Sequence, residues 1–121
     1  MKPHYSESRT SNGLVFVSGQ LAFNADRSAA EGDVQAQTRA CLGAIERILE
    51  AQGLSRRSIV RCTCWLSSPL DYSAFNEAYA SFFFGITAPA RTTIAVALCL
   101  PGARVEIDAI AARDTSDCAA T

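Results

Sequence analysis

The sequence predicts an α+β domain in which a mixed sheet carries two helices on one face. Three observations lead there. Two stretches, one opening at Asp33 and one at about Asp71, repeat their apolar residues at helical spacing. The remaining apolar segments are short and rich in β-branched residues, with turn residues between them. In chain order these elements read β, β, α, β, α, β, β, a single domain in 121 residues.

The elements follow from local chemistry. Asn12-Gly13 is a strong hairpin signal, so a strand around Tyr5 to Thr10 pairs with Leu14 to Gly19. Asn24 to Gly32 reads as a loop, with a short strand near Gly19 to Phe23. Asp33 caps the first helix, on which Val34, Thr38, Cys41, Ile45, Ile48 and Leu49 form the apolar stripe. Gly53 ends it and Leu54 folds back in the Schellman manner. Ile59 to Ser67 is a strand with Val60, Cys62, Cys64 and Leu66 on one face, closed by Pro69. A second helix, Asp71 to Phe84, carries the aromatic stripe Phe75, Tyr79, Phe82 and Phe83. Pro89 breaks the chain before a strand from Arg91 to Leu100, and Pro101-Gly102 turns it into a last strand, Arg104 to Ala112. Asp114 to Thr121 is small and polar and reads as a flexible tail.

Composition excludes several functions. Eleven basic and 12 acidic residues give a net charge of −1, spread without long runs of one sign, so the phosphate-pairing stripe of a nucleic-acid binder is missing. The adjacent pair Arg56-Arg57 reads as a solvated cap near a helix end. Lys2 is the only lysine, a poor start for Schiff-base chemistry, and His4 the only histidine, so no metal site is expected. Five cysteines without a CxxC read as reduced, mostly buried thiols; Cys62 and Cys64 would share a strand face at about 6.6 Å, the far edge of disulfide reach. The longest apolar run, around Ile94 to Pro101, is too short to span a membrane, and the N-terminus has no signal-like apolar region. Together these features predict a cytoplasmic protein with no membrane or nucleic-acid partner.

Chemistry-bearing residues concentrate in the last two strands. Alternation places Thr92, Ile94, Val96, Leu98 and Leu100 on one face of the Arg91 strand, read as core, and Arg91, Thr93, Ala95, Ala97 and Cys99 on the other. In the final strand Val105, Ile107, Ala109 and Ala111 share one face, and Glu106 and Asp108 the other. Each strand is thus read as turning an ionisable residue away from the helices. The small residues beside Arg91 point to another subunit packing there, and Asp108 reads as an anchor for neighbouring backbone.

Val17-Ser18-Gly19-Gln20, Gln37-Thr38-Arg39, Asn76-Glu77-Ala78-Tyr79, Phe82-Phe83, Pro89-Ala90-Arg91-Thr92-Thr93 and Val105-Glu106-Ile107-Asp108-Ala109-Ile110-Ala111 resemble, in order and spacing, the Rid (RidA/YjgF) family. The likeness runs from Tyr5 to Arg113, and the domain is taken as residues 1–113. The resemblance implies a chorismate-mutase-like fold and a homotrimer around a central β-barrel, with sites between subunits. It also implies hydrolysis of reactive 2-imino or 2-enamino acids to 2-keto acids and ammonia, without a cofactor. By the same resemblance Arg91 binds the substrate carboxylate, Glu106 directs the water, and Tyr5, Ser18, Gly19, Asn76 and Thr93 line the pocket. The chain departs from the family pattern at Pro3-His4-Tyr5, at Thr93, at Cys99 and in the length of the Gly85 to Ala88 loop. Two alternatives stay open: a non-catalytic binder of 2-keto or amino acids, and a specialised member of the family. A ribonuclease, the third possibility, is disfavoured by the charge pattern.

Overall fold

The computed structural model describes residues 4–113. Five strands form one sheet in the order β1-β2-β5-β3-β4, with β1 at Ser8–Ser11, β2 at Leu14–Gln20, β3 at Ile59–Leu66, β4 at Ala90–Ala95 and β5 at Val105–Ala112. The β3–β4 pair is parallel and every other pair antiparallel. Helices α1 (Val34–Glu50) and α2 (Tyr72–Phe82) pack against each other and cover one face. No described helix is long and apolar enough to cross a membrane.

The hairpin turns on Asn12 (φ 51°) and Gly13 (φ 79°), two left-handed residues whose twist matches the flanking strands. Its first strand begins at Ser8 rather than Tyr5. No separate strand forms over Gly19 to Phe23; β2 runs on to Gln20, and beyond it the chain makes only an isolated bridge, Phe23 to Ala30. On α1 the Asp33 carboxylate accepts from the Ala36 N–H at 2.8 Å, and the Leu54 N–H reaches back to the Leu49 carbonyl at 2.9 Å. The buried stripe is as expected except that Ile48 is only partly buried, and Leu42 and Gln37 join it. Gln37 bridges loops: its amide nitrogen donates to the carbonyls of Gly32 and Gly102, and its oxygen accepts from the Arg104 N–H.

Leu42, Ile45, Leu49, Phe75, Leu66 and Ile107 are wholly or almost wholly buried between helices and sheet. Each apolar side chain buried in this way contributes about 1.5–3 kcal/mol.

Three expectations need correction. In β3 the register shifts between Ile59 and Arg61, so Ile59 joins Cys62, Cys64 and Leu66 in the core while Val60 is left 42% exposed. Arg56 is not a solvated cap: its guanidinium forks onto Glu46 at 2.6 and 2.8 Å, donates to the Phe82 carbonyl at 2.6 Å and stacks 4.0 Å from the Phe82 ring centroid. That bond to Glu46 raises the guanidinium pKa further. The largest correction concerns β4, which stops at Ala95 instead of reaching Leu100. Its one neighbour, β3, ends at Leu66, whose carbonyl takes the Val96 N–H; the next N–H, of Ser67, turns to Arg104 instead. Beyond that point β4 has nothing to pair with.

The faces of β4 are also the reverse of those expected. Parallel register sets Arg91 beside Cys62, Thr93 beside Cys64 and Ala95 beside Leu66, all on the helix side. Thr92 and Ile94 therefore face away, and Ile94 and Val96 are each 46% exposed rather than core. The alternation was legible, but the greasier side is not the inner one.

Candidate active site

The strand register divides the seven predicted site residues into two groups on opposite faces of the sheet. Arg91 and Thr93 lie on the helix side with Asn76 of α2; Tyr5, Ser18, Gly19 and Glu106 lie on the other side.

On the helix side, α2 turns Tyr72, Phe75, Asn76 and Tyr79 onto one face, at the i, i+3, i+4 and i+7 spacing of a helix. The Arg91 guanidinium sits among the three rings, its Cζ 4.7 Å from the Tyr79 centroid, 5.1 Å from Phe75 and 5.9 Å from Tyr72. Its Nη2 donates to the Tyr72 hydroxyl at 3.3 Å. The two ion pairs among the described residues, Arg56–Glu46 and Arg104–Asp71, leave Arg91 without a carboxylate. Three polar atoms are buried without a nitrogen or oxygen hydrogen-bond partner: Asn76 Oδ1, Thr93 Oγ1 and Tyr79 OH, the last with only the weakly bonding Cys62 thiol beside it. All three belong to the elements that hold Arg91. Buried polar atoms left unpaired cost roughly 1–3 kcal/mol each, so a cluster of them around an unpaired cation is a surface prepared for a polar anionic ligand. Burial pushes the Tyr79 hydroxyl pKa well up, so it stays a neutral phenol.

Beneath this group lie Cys62 and Cys64, buried free thiols raised by desolvation to about 11 and 12, and Cys41, likewise raised to about 12. At neutral pH they are protonated and poor nucleophiles. Cys99 is free and exposed; Cys118 lies outside the described residues. Among the described residues no three His, Cys, Asp or Glu side chains are placed to hold a metal ion.

On the opposite face β2 loses register with β5 between Val17 and Gln20, and the irregular pair is Ser18-Gly19. A methyl group at Gly19 would collide with the Glu106 carboxylate, so glycine is what allows β2 to lie against that side chain. The Ser18 hydroxyl is already engaged, donating to the Ser6 carbonyl at 2.6 Å, and the Ser18 N–H donates to the Glu7 carbonyl at 3.0 Å; together they tie the segment bearing Tyr5 to the pocket. Tyr5, Ser18, Gly19 and Glu106 line one cavity of about 620 Å³. Burial, helped by the neighbouring Asp108 charge, pushes the Glu106 carboxyl pKa above its ordinary value. Asp108 itself accepts the Thr63 N–H at 3.1 Å, the backbone anchor expected of it.

The sequence reading missed Tyr72, whose position one helical turn before Phe75 and Asn76 was available in the spacing. It also missed Arg27, Gln20 and Phe23, which line the Glu106 cavity from a loop that carries no periodic signal.

The model for the endoribonuclease L-PSP family matches residues 1–113. Protein DfrA of Myxococcus xanthus is 38% identical over 99 residues, 81% of this chain and 75% of that protein. The structure of YyfA from Yersinia pestis, described as a member of the conserved Rid protein family, superposes with a TM-score of 0.84 at 34% identity, covering 93% of this chain and 90% of that one. Escherichia coli TdcF with bound serine matches with a TM-score of 0.84 at 32% identity, covering 94% and 91% of the two chains. The chain belongs to the endoribonuclease L-PSP family, the Rid family.

Proposed function

We propose that the protein is an imine/enamine deaminase, that it works as a homotrimer, and that the Arg91 side of one subunit meets the Glu106 side of the next. The observation that carries this reading is the unpaired Arg91 in its aromatic cup, beside three buried polar atoms without partners. A planar guanidinium held this way matches a carboxylate bidentately. TdcF, which is described with bound serine, lends support, since serine is a small 2-amino acid. The assembly is supported by the open sheet face, where Phe16, Val60, Ile94 and Val96 are each more than 40% exposed. The free thiols fit a reducing compartment, and we place the activity in the cytoplasm.

In this reading Arg91 anchors the carboxylate of the 2-imino acid, and Asn76, Thr93 and Tyr79 supply the remaining polar contacts. Glu106, ionised, takes a proton from water as the bond from water oxygen to C2 forms. It passes that proton to the nitrogen of the tetrahedral adduct. The carboxylate then takes the proton of the adduct hydroxyl and gives it to the departing nitrogen as the C2–N bond breaks, so that ammonia leaves and the hydroxyl oxygen becomes the 2-keto oxygen. A raised pKa helps, because a more basic carboxylate takes the proton from water more readily.

Following ammonia and 2-keto acid release from freshly generated 2-aminoacrylate tests the activity, and light scattering tests the trimer. Turnover by a trimer is the expected result. Tight 2-keto acid binding with no turnover would assign the same pocket to a non-catalytic binder, and a stable monomer at micromolar concentration would overturn the intersubunit site.

A further inference from the structure

We infer that the Glu106 cavity continues into a side-chain subsite in which Arg27 binds a distal carboxylate, so that the preferred substrates are acidic 2-imino acids; this rests on the deaminase reading above. The Glu106 cavity shares Glu7, Gln20, Leu21, Phe23 and Arg27 with a second cavity of about 540 Å³, floored by Ala40, Ala44 and Ile48 of α1. The two are therefore contiguous, and Arg27 and Phe23 stand at their junction. A three-carbon imino acid held at Glu106 would leave this second space unused.

The loop that carries Arg27 is built to hold it there. Arg27 has φ 63°, a left-handed backbone that a residue with a side chain adopts at a cost. The conformation is fixed by a ring of bonds: the Asn24 N–H to the Ala29 carbonyl at 2.8 Å, the Arg27 N–H to the Asn24 carbonyl at 3.0 Å, and the Ser28 N–H to Asn24 Oδ1 at 3.1 Å. The nearest carboxylate in sequence, Asp26, is already engaged by the Ser28 N–H and hydroxyl at 3.1 and 2.6 Å, which hold its pKa below the usual value. Glu7 lines both cavities and Glu31 the outer one, yet neither is ion-paired with Arg27 among the described residues. The guanidinium lies 3.9 Å from the Phe23 ring centroid. Stacking occupies its face and leaves the in-plane N–H donors free, the arrangement that receives a carboxylate edge-on.

The test compares the 2-imino acids generated in situ from glutamate and from norvaline, which match in main-chain length and differ in the distal carboxylate. The wild type should favour the glutamate-derived imine in kcat/KM. Arg27→Gln, which keeps part of the stem on Phe23 and loses the charge, should reduce that ratio about tenfold, with Arg27→Lys recovering part of it. An unchanged ratio in Arg27→Gln overturns the subsite and leaves the deaminase reading standing. If the wild type hydrolyses neither imine, turnover of 2-aminoacrylate decides whether the deaminase reading stands, and calorimetry with the corresponding 2-keto acids decides the subsite. Tighter binding of 2-oxoglutarate than of 2-oxopentanoate, lost in Arg27→Gln, upholds it; equal affinities in both proteins reject it.

Discussion

Arg91 and Glu106 are separated by one strand, β3, and face opposite sides of the sheet. Their surroundings differ in kind. Arg91 lies under a helix, among three rings and three unpartnered polar atoms, in a place that offers a ligand both charge and hydrogen bonds. Glu106 lies in a wider cavity on the open face, against a glycine, with a second carboxylate nearby that makes its own ionisation harder. In the proposed reaction the first side binds and the second exchanges a proton. For that reaction neither side would suffice within one chain, because a substrate of a few atoms cannot reach around a sheet. The division itself is thus an argument for assembly, independent of the exposed apolar face.

Breaking the binding side should have the larger effect. Arg91→Ala removes charge-assisted hydrogen bonds worth about 1.5–3 kcal/mol each, so 2-keto acid affinity and kcat/KM should fall by orders of magnitude while the fold persists. Arg91→Lys should also be poor, since an ammonium cannot reproduce the fork. Calorimetry together with a thermal melt checks both variants; turnover near wild type in either would remove Arg91 from the site.

Breaking the proton-exchange side should leave binding in place. Glu106→Gln keeps the shape and loses the base, so kcat should fall about 10²–10⁴-fold in single-turnover measurements with ligand affinity nearly retained. Stability should move the other way. Folding raises the Glu106 pKa, so the native state holds that proton more tightly than the unfolded chain, and stability falls as pH rises from the unfolded pKa through the folded one. An amide has no such loss. Glu106→Gln should therefore melt at or above the wild-type temperature at pH 7, with the difference vanishing in acid.

This asymmetry also explains what could be read from the sequence. Helix α1 was legible to its caps because Asp33, the apolar stripe and Gly53 each act within a few residues. The hairpin was legible for the same reason. The faces of β4 were not, because burial there depends on which neighbour the strand finds; parallel pairing with β3 turned Arg91 inward and Ile94 outward against the hydrophobic pattern. The sequence singles out Arg91 and Glu106 as a pair of interest, but their separation by the sheet is a matter of register, which no local spacing encodes. The Ile59 to Arg61 irregularity misplaced Val60 on the same grounds.

A smaller perturbation moves Glu106 without removing it. Gly19→Ala places a methyl group into the carboxylate, which must swing aside. The expected outcome is a kcat lowered less than by Glu106→Gln, an Arg91-dependent 2-keto acid affinity largely retained, and no change in assembly. Wild-type kcat in Gly19→Ala would show that the position of the Glu106 carboxylate against β2 is immaterial to the chemistry.

Asp108→Asn should give the smallest effect and the most diagnostic one. Asp108 and Glu106 point to the same face of β5, so either could in principle serve the water. The Asp108 carboxylate, however, already accepts the Thr63 N–H at 3.1 Å, and its charge helps to raise the Glu106 pKa. The asparagine oxygen can still accept that bond, though more weakly, so stability should drop by roughly 0.5–1.5 kcal/mol, read from a denaturant midpoint. The lost charge should lower the Glu106 pKa. In the proposed mechanism Glu106 acts as the base in its ionised form, so activity should rise with pH through that pKa, and the acidic limb of the kcat profile should shift to lower pH in Asp108→Asn. The plateau should stay close to wild type. A plateau lowered by a hundredfold or more, with the limb unmoved, would transfer the water-directing role from Glu106 to Asp108.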